Sequence, residues 1–498
     1  MAPLDRAVFL AYLAVVLAVG ARFARRQRRF GEYFLAGRSM HWLPVGLSTM
    51  VTAFSAINYT AFSGEVFEHG LYVSLCLPVF LFVAPVVIRL VMPLYHEMGI
   101  RSVYEYLEKR FDRRVRRLGS GLFILWAVLW MATLLYVPCR VLSLITHYDE
   151  TSLILLTGVV VTAYTVAGGM RAVMWTDVLQ FLVLAGGLVV GLAVASARAP
   201  GGLVGILQHG VDCGLARPFE PFDPGMLSLD PRVRITLWSC WAGTFVAFLA
   251  RYGTDQAVVQ RYLAARSLEH ARRGFHLAYG SVIVALVALG LLGFAIHAHA
   301  AEAGWLDGSR RPPIYYFAEF VRALPSGVPG LIVAGLGAAT MSSMDSGINS
   351  CAAVWVADFG PGRSGATGGA ADEQQVSRLP TLAFGGAATL LALEVGRLGS
   401  VFEIANRVIN GMGTPLLALS VLALFSRRAT AAGTLAGGTL GILGSALVTL
   451  GVPQLALHYY AVANLALTAA LIYLCSLAGK RPSPAQLAWT WGGRRRAP

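Results

Sequence analysis

The residues best placed to do chemistry stand in an otherwise apolar run, 331–358, LIVAGLGAATMSSMDSGINSCAAVWVAD. Ser342, Asp345, Ser346 and Asn349 follow i, i+3, i+4, i+7 spacing, so on a helix they form one polar stripe, with Ser343 and Ser350 beside it. In hydrocarbon such a stripe must face protein, water or an ion. Adjacent hydroxyls, a carboxylate and small Ala and Gly neighbours offer hard oxygen ligands without bulk. They suit a small cation such as Na⁺ better than a soft metal. Two readings follow from the residues: a Na⁺ site, or a helix–helix interface held by serine hydroxyls.

A second polar cluster interrupts the apolar run 43–66, where Thr49, Thr52, Ser55, Asn58 and Thr60 fall mid-span. Hydroxyl and amide side chains compete for backbone hydrogen bonds, which predicts a kink or a local break. A break frees carbonyl oxygens, and these are good Na⁺ ligands at the membrane midplane. Asp177, one turn inside the span opened by Trp175 and Thr176, is a candidate cation relay or a carboxylate at a helix start. Arg140 lies on an apolar segment near its outer end, where it meets an anionic substrate or reaches out to the interface. Glu403 and Arg407 stand at i, i+4 and read as an internal ion pair.

The elements that must position these groups follow from composition. Of 498 residues, 56% are hydrophobic and 13% charged, and the mean hydropathy is +0.63. That profile predicts an all-α polytopic membrane protein. About thirteen segments are long and apolar enough to span as helices. They lie near 7–23, 43–66, 71–96, 119–146, 151–168, 174–197, 232–256, 275–298, 328–357, 379–396, 400–426, 430–451 and 454–477. A β-barrel would show short alternating segments instead. Gly433, Gly437 and Gly441 make a small-residue face for helix packing.

A net charge of +14 invites a nucleic-acid partner, but its distribution argues against one. Basic residues crowd every second loop: 22–38, 101–117, 251–273, 427–428 and 480–496. This positive-inside pattern places the N-terminus outside and the C-terminus in the cytoplasm of a cell (inner) membrane. The positive flank follows the first apolar run, so that run reads as a retained span rather than a cleaved signal. The stretch 251–274 reads as a basic cytoplasmic helix packed under the bundle, and the tail after Lys480 as loosely ordered. Six cysteines are scattered, mostly inside spans, with no metal-type spacing, and read as small hydrophobes.

Several motifs carry a resemblance. YFLAGRSM (33–40), GGMRAVMWTDVLQ (168–180), GTDQAVVQRYLAARS (253–267) and AATMSSMDSGINS (338–350) resemble the sodium:solute symporters, and the likeness covers nearly the whole chain. It implies a core of two inverted five-helix repeats, about 43–197 and 232–426, within a unit spanning 31–426. A peripheral helix in 1–30 precedes the core; two more, in 427–479, and a basic tail, 480–498, follow it. The family's main Na⁺ site, carried over position by position, falls on the carbonyls of Val51, Phe54 and Ala339 and the hydroxyls of Ser342 and Ser343. A second cation site of some members corresponds to Asp177, Asp345 and Ser346. The acid at Asp345 departs from the hydroxyl found there in those members. The only implied cofactor-like species is Na⁺ as coupling ion.

The resemblance implies a Na⁺-coupled symporter that imports a small solute by alternating access, not an enzyme. No nucleophile–base constellation or metal-ligand cluster is visible in the spans. The solute positions correspond to Ser55, Asn58, Phe80 and Phe248, with Arg140 and Arg251 as candidate anion contacts. Leu77 and the two phenylalanines count against a hexose. The SVYEYLEKRF stretch (102–111) is similar to the branch carrying monocarboxylates, vitamins and iodide. The expected solute is therefore a small organic anion such as a monocarboxylate, with a sugar or polyol as the alternative. A membrane sensor of the same fold would carry a cytoplasmic signalling domain, for which the tail is too short.

Overall fold

The structure, a computed structural model, describes residues 1–23, 30–217, 224–233, 235–306, 311–360, 370–398, 401–452 and 454–494. Among these residues all the regular structure is helical, with one isolated parallel bridge between Met40 and Ala265. The helices that matter for the site are α1 (Pro3–Phe23), α2 (Trp42–Ala53), α3 (Arg113–Thr146), α4 (Glu150–Arg198) and α5 (Gly202–Asp212). They continue as α6 (Leu237–Gly253), α7 (Gln256–Leu263), α8 (Leu268–Glu302), α9 (Val328–Asp358) and α10 (Ala370–Val395). Last come α11 (Val401–Phe425), α12 (Ala431–Gly451) and α13 (Tyr459–Leu477). Among the described residues eight helical stretches are long and apolar enough to cross a membrane. Helices that expose leucines such as Leu182, Leu390 and Leu447 present them where lipid is the expected solvent.

Helix α9 is the hub, with 94% of its most apolar window buried. It packs against α3, α4, α1 and α10. Asp5 docks α1 on its start by accepting hydrogen bonds from the amides of Gly327 (2.7 Å) and Gly330 (3.1 Å). Those amides are orphan donors of the first helical turn, which an acid satisfies with favourable charge. Helices α2 and α8 cross through glycines: a Cβ on Gly46 would lie 2.6 Å from the Gly274 carbonyl oxygen.

Two interruptions shape the core. In α4 the chain breaks at Gly169, whose φ of 56° and ψ of −171° only glycine adopts readily. The spans expected at 151–168 and 174–197 thus meet at a one-residue corner. The run expected at 43–66 is broken rather than merely kinked. Helix α2 stops at Ala53, Phe54 is extended (φ −102°, ψ 105°), and a π-helical turn occupies Asn58–Phe62. Hydroxyls return to the backbone around it, Thr52 to the Ser48 carbonyl (2.7 Å) and Ser63 to that of Tyr59 (2.7 Å).

One sequence expectation is sharpened and another needs correction. Helix α7, expected to pack under the bundle, is wholly enclosed: all eight of its residues are buried. Its polar side chains are spent on other segments, with Gln256 Nε2 donating to the Arg101 carbonyl (3.1 Å) and Gln260 Nε2 to that of Phe34 (2.5 Å). The described part of the tail is folded, because Trp489 sits under Lys109 (4.8 Å to the ring) and its carbonyl accepts from Tyr106 Oη (3.0 Å). On the other side, the α12 glycines do face α13: a Cβ on Gly437 would meet the Leu471 carbonyl oxygen at 2.4 Å. The side chains of Glu403 and Arg407 lie outside the described residues.

Candidate functional site

The helix break supplies the first half of the candidate cation site. In a continuous helix the Val51 carbonyl would accept from the Ser55 amide. Here that amide donates to Asn58 Oδ1 instead (3.2 Å), a bond reinforced by Ser55 Oγ (3.1 Å). The freed Val51 oxygen faces α9, where the hydroxyls of Ser342 and Ser343 each lie 3.4 Å from it. Ser342 Oγ is also 3.1 Å from the Ala339 carbonyl. Four of the five expected main-site residues therefore converge. Phe54, the fifth, is the buried residue immediately after the break.

The donor set fits Na⁺. All four atoms are hard, uncharged oxygens. Two oxygens bound at right angles, each about 2.4 Å from a cation of Ca²⁺-like size, stand about 3.4 Å apart. Contacts of 3.4 Å are long for O–H···O bonds, whose usual distance is about 2.7–2.8 Å. The hydroxyls are consequently held near the carbonyl without being consumed by it.

One turn further along α9 lies a different cluster. Asp345 Oδ2 accepts from Tyr164 Oη (2.8 Å), and its Oδ1 from Ser346 Oγ (3.2 Å). Ser346 Oγ also lies 3.1 Å from Thr52 Oγ1. Asp177 Oδ2 accepts from Ser48 Oγ (2.5 Å). Into this group α7 inserts Arg261, which is completely buried. Its guanidinium lies 3.6 Å from Asp177 Oδ2, donates to Ser48 Oγ (3.1 Å), and also bonds Ser346 Oγ and the Ala257 carbonyl. Asp177 Oδ1 is buried with no hydrogen-bond partner. The three expected second-site residues thus come together around a cation that belongs to the chain. Sequence reasoning missed Arg261 because a basic segment between spans reads as a surface feature.

On the far side of the break is a cavity of about 220 Å³, whose lining includes Asn58, Trp126, Trp130, Thr244, Phe248 and Arg251. Phe80 stands behind Phe248, ring centroids 4.4 Å apart. Ser55 orients Asn58 through the bonds above. Arg251 pairs with Asp255, donates to the Thr52 carbonyl (2.7 Å), and lies over the Trp126 ring (5.6 Å to its centroid). The indole N–H groups of Trp126 and Trp130 are buried without acceptors. Arg140 is elsewhere: half-exposed, paired with Glu150 (2.9 Å) and donating to Tyr315 Oη (3.3 Å). The two tryptophans were not singled out from the sequence, since indoles inside an apolar span look like core.

The comparisons agree with this architecture. The model of the sodium:solute symporter family matches residues 33–441. The sodium-coupled monocarboxylate transporter 1 of Mus musculus is 29% identical, covering 90% of this chain and 73% of that one. The sodium-dependent multivitamin transporter of Oryctolagus cuniculus (31%) and the sodium/iodide cotransporter of Homo sapiens (32%) each cover 90% of this chain and 70% of their own length. Among solved structures, a Na⁺-coupled sialic acid symporter superposes with a TM-score of 0.86 at 24% identity, over 97% of this chain and 99% of that one, a likeness of fold. A polytopic helical protein with this span of family matches is a Na⁺-coupled solute symporter, and the chain belongs to the sodium:solute symporter family.

Proposed function

We propose that the chain imports a small organic anion of the monocarboxylate class, driven by Na⁺ bound at Val51, Phe54, Ala339, Ser342 and Ser343. The observation that carries this reading is Arg251, with the polar side chains of Asn58 and Thr244, on the wall of a mainly apolar cavity. A carboxylate offers acceptors to such donors, and its apolar body suits Phe248 and its neighbours. A hexose would leave several hydroxyls without partners here, and unpaired buried polar groups are costly. Relatives named for monocarboxylate transport support the same class.

Coupling runs through the broken helix. Its Val51 carbonyl faces the Na⁺ ligands, its Thr52 carbonyl holds Arg251, and Ser55 orients Asn58. Na⁺ at Val51 steadies the break in the shape that presents Arg251 and Asn58 to the solute. Asp177, Asp345 and Ser346 form a second cation site whose resident cation is the Arg261 guanidinium. Asp177 Oδ1, which no hydrogen bond occupies, is the oxygen left for another cation. Around these sites the reading keeps about thirteen spans, a five-plus-five inverted core, an outside N-terminus and a cell (inner) membrane location.

The test is uptake by purified protein in proteoliposomes, with an inward Na⁺ or K⁺ gradient, of short monocarboxylates and hexoses. Monocarboxylate accumulation under Na⁺ alone is expected. Accumulation of a neutral hexose in preference to any anion would overturn the substrate class and leave the Na⁺ site standing.

A further inference from the structure

Away from the Na⁺ ligands and the cavity, three metal-ligating side chains meet where α5 packs on the C-terminal end of α8. His209 lies in the last turn of α5, and Cys213 is the residue that ends it. Their i, i+4 spacing puts both on one side of the helix. His297 comes from the last turns of α8, and one ligand atom from each residue lies within 4.8 Å of the others. His209 Nε2 is 2.9 Å from His297 Nδ1 and 3.6 Å from Cys213 Sγ. The helices are pressed together at Gly210, where a Cβ would meet the Phe294 ring at 2.4 Å. Phe67 lies against the His297 ring (5.3 Å between centroids).

We propose that His209, Cys213 and His297 form a binding site for a Zn²⁺-class ion that clamps α5 to α8. The geometry is close to what such an ion needs. With bonds of about 2.0–2.1 Å to nitrogen and about 2.3 Å to sulfur, tetrahedral ligands stand about 3.3 Å (N to N) and about 3.5 Å (N to S) apart. The sulfur–nitrogen distance already matches, and the two imidazoles need part by only a few tenths of an ångström. Imidazole and thiolate select borderline and soft ions over Na⁺, Mg²⁺ or Ca²⁺. Three protein ligands leave the fourth position to solvent, which the exposure of Cys213 allows. The site is therefore exchangeable rather than structural. Counted along α8, it lies about 40 Å from the helix start next to α7, at about 1.5 Å per residue. Metal binding there acts on the end of the bundle opposite Arg261.

The full-length protein, purified in detergent with reduced thiols, is titrated with Co²⁺ as a spectroscopic probe. The parent is expected to show thiolate-to-cobalt charge transfer and four-coordinate ligand-field bands that Zn²⁺ abolishes. Cys213→Ser should lose the charge-transfer band, and His209→Ala and His297→Ala should weaken binding by at least about 10–100-fold. Micromolar Zn²⁺ should raise the melting temperature of the parent and of no variant. Cys213 is exposed, so Cys213→Ser tests the site without disturbing the core, and a preserved Na⁺-dependent melting shift confirms its fold. Absence of Co²⁺ binding at 100 μM, or a spectrum unchanged by Cys213→Ser, would overturn the site.

Discussion

Two buried polar clusters sit one turn apart on α9, and they have opposite electrostatic character. The Val51–Ala339–Ser342–Ser343 cluster consists of uncharged oxygens with weak mutual bonds. The Asp177–Asp345–Ser346 cluster holds two carboxylates, a tyrosine hydroxyl and its own guanidinium. A mobile cation gains most where oxygens are gathered but unsatisfied. Where carboxylates already own a buried partner, an incoming ion must first displace it. The neutral cluster is accordingly read as the place for exchangeable Na⁺, and the charged one as a latch that ties α7 to α2, α4 and α9.

The largest effect should come from removing the latch's internal cation. Arg261→Gln leaves the buried carboxylate of Asp177 without its positive partner, a class of change that costs about 3–5 kcal/mol. Thermal melting of the purified variant should fall steeply, or its uptake should gain a second, low-affinity Na⁺ dependence. Unchanged stability together with unchanged Na⁺ dependence would break the contrast between the clusters. Asp345→Ser should be milder than Asp177→Asn, because Asp345 has Tyr164 and Ser346 as neutral partners whereas Asp177 faces the guanidinium.

The cavity sharpens the comparison at the next level. Arg251→Gln removes a charged donor, worth about 1.5–3 kcal/mol, so apparent solute affinity should drop about 10–100-fold. Arg140→Gln, at the Glu150 pair outside the cavity, should leave it unchanged. Concentration-dependent uptake in both variants checks this. Ser342→Ala or Ser343→Ala removes one oxygen ligand and should weaken Na⁺ by about 1–2 kcal/mol with insertion unaffected. The smallest effect is expected for Trp126→Phe, which keeps an aromatic face beneath Arg251 but gives up the indole N–H and part of the ring surface. Its solute affinity should fall by about 1 kcal/mol, read from the same uptake curves.

Much of the neutral cluster was legible in the sequence. Ser342 and Ser343 stand out because hydroxyls at helical spacing inside an apolar run need a polar partner that lipid cannot supply. The break after Ala53 was readable from the density of Thr, Ser and Asn in one span. The latch was half legible: Asp177 and Asp345 announce themselves as acids in spans, but Arg261 lies in a basic stretch that positive-inside reasoning assigns to the surface. Helix α7 is buried because Gln256, Gln260 and Arg261 find backbone and side-chain partners on distant segments, which no local pattern encodes. Arg140 and Arg251 look alike along the chain, both near span ends, and only tertiary packing separates them. His209 and Cys213 share an i, i+4 spacing, but only helix packing brings His297 to them.

The most direct test of the central claim needs no knowledge of the solute. The melting temperature of the purified parent and of Ser343→Ala is measured as Na⁺ replaces K⁺ at constant ionic strength. An ion that binds only the folded state stabilises it with its own saturation curve. The parent should melt higher in Na⁺ than in K⁺, and Ser343→Ala should need about 5–30-fold more Na⁺ for the same shift, the equivalent of losing one ligand of about 1–2 kcal/mol. Equal melting in the two salts, or a Na⁺ curve unmoved by the substitution, would contradict a Na⁺ site at the broken helix.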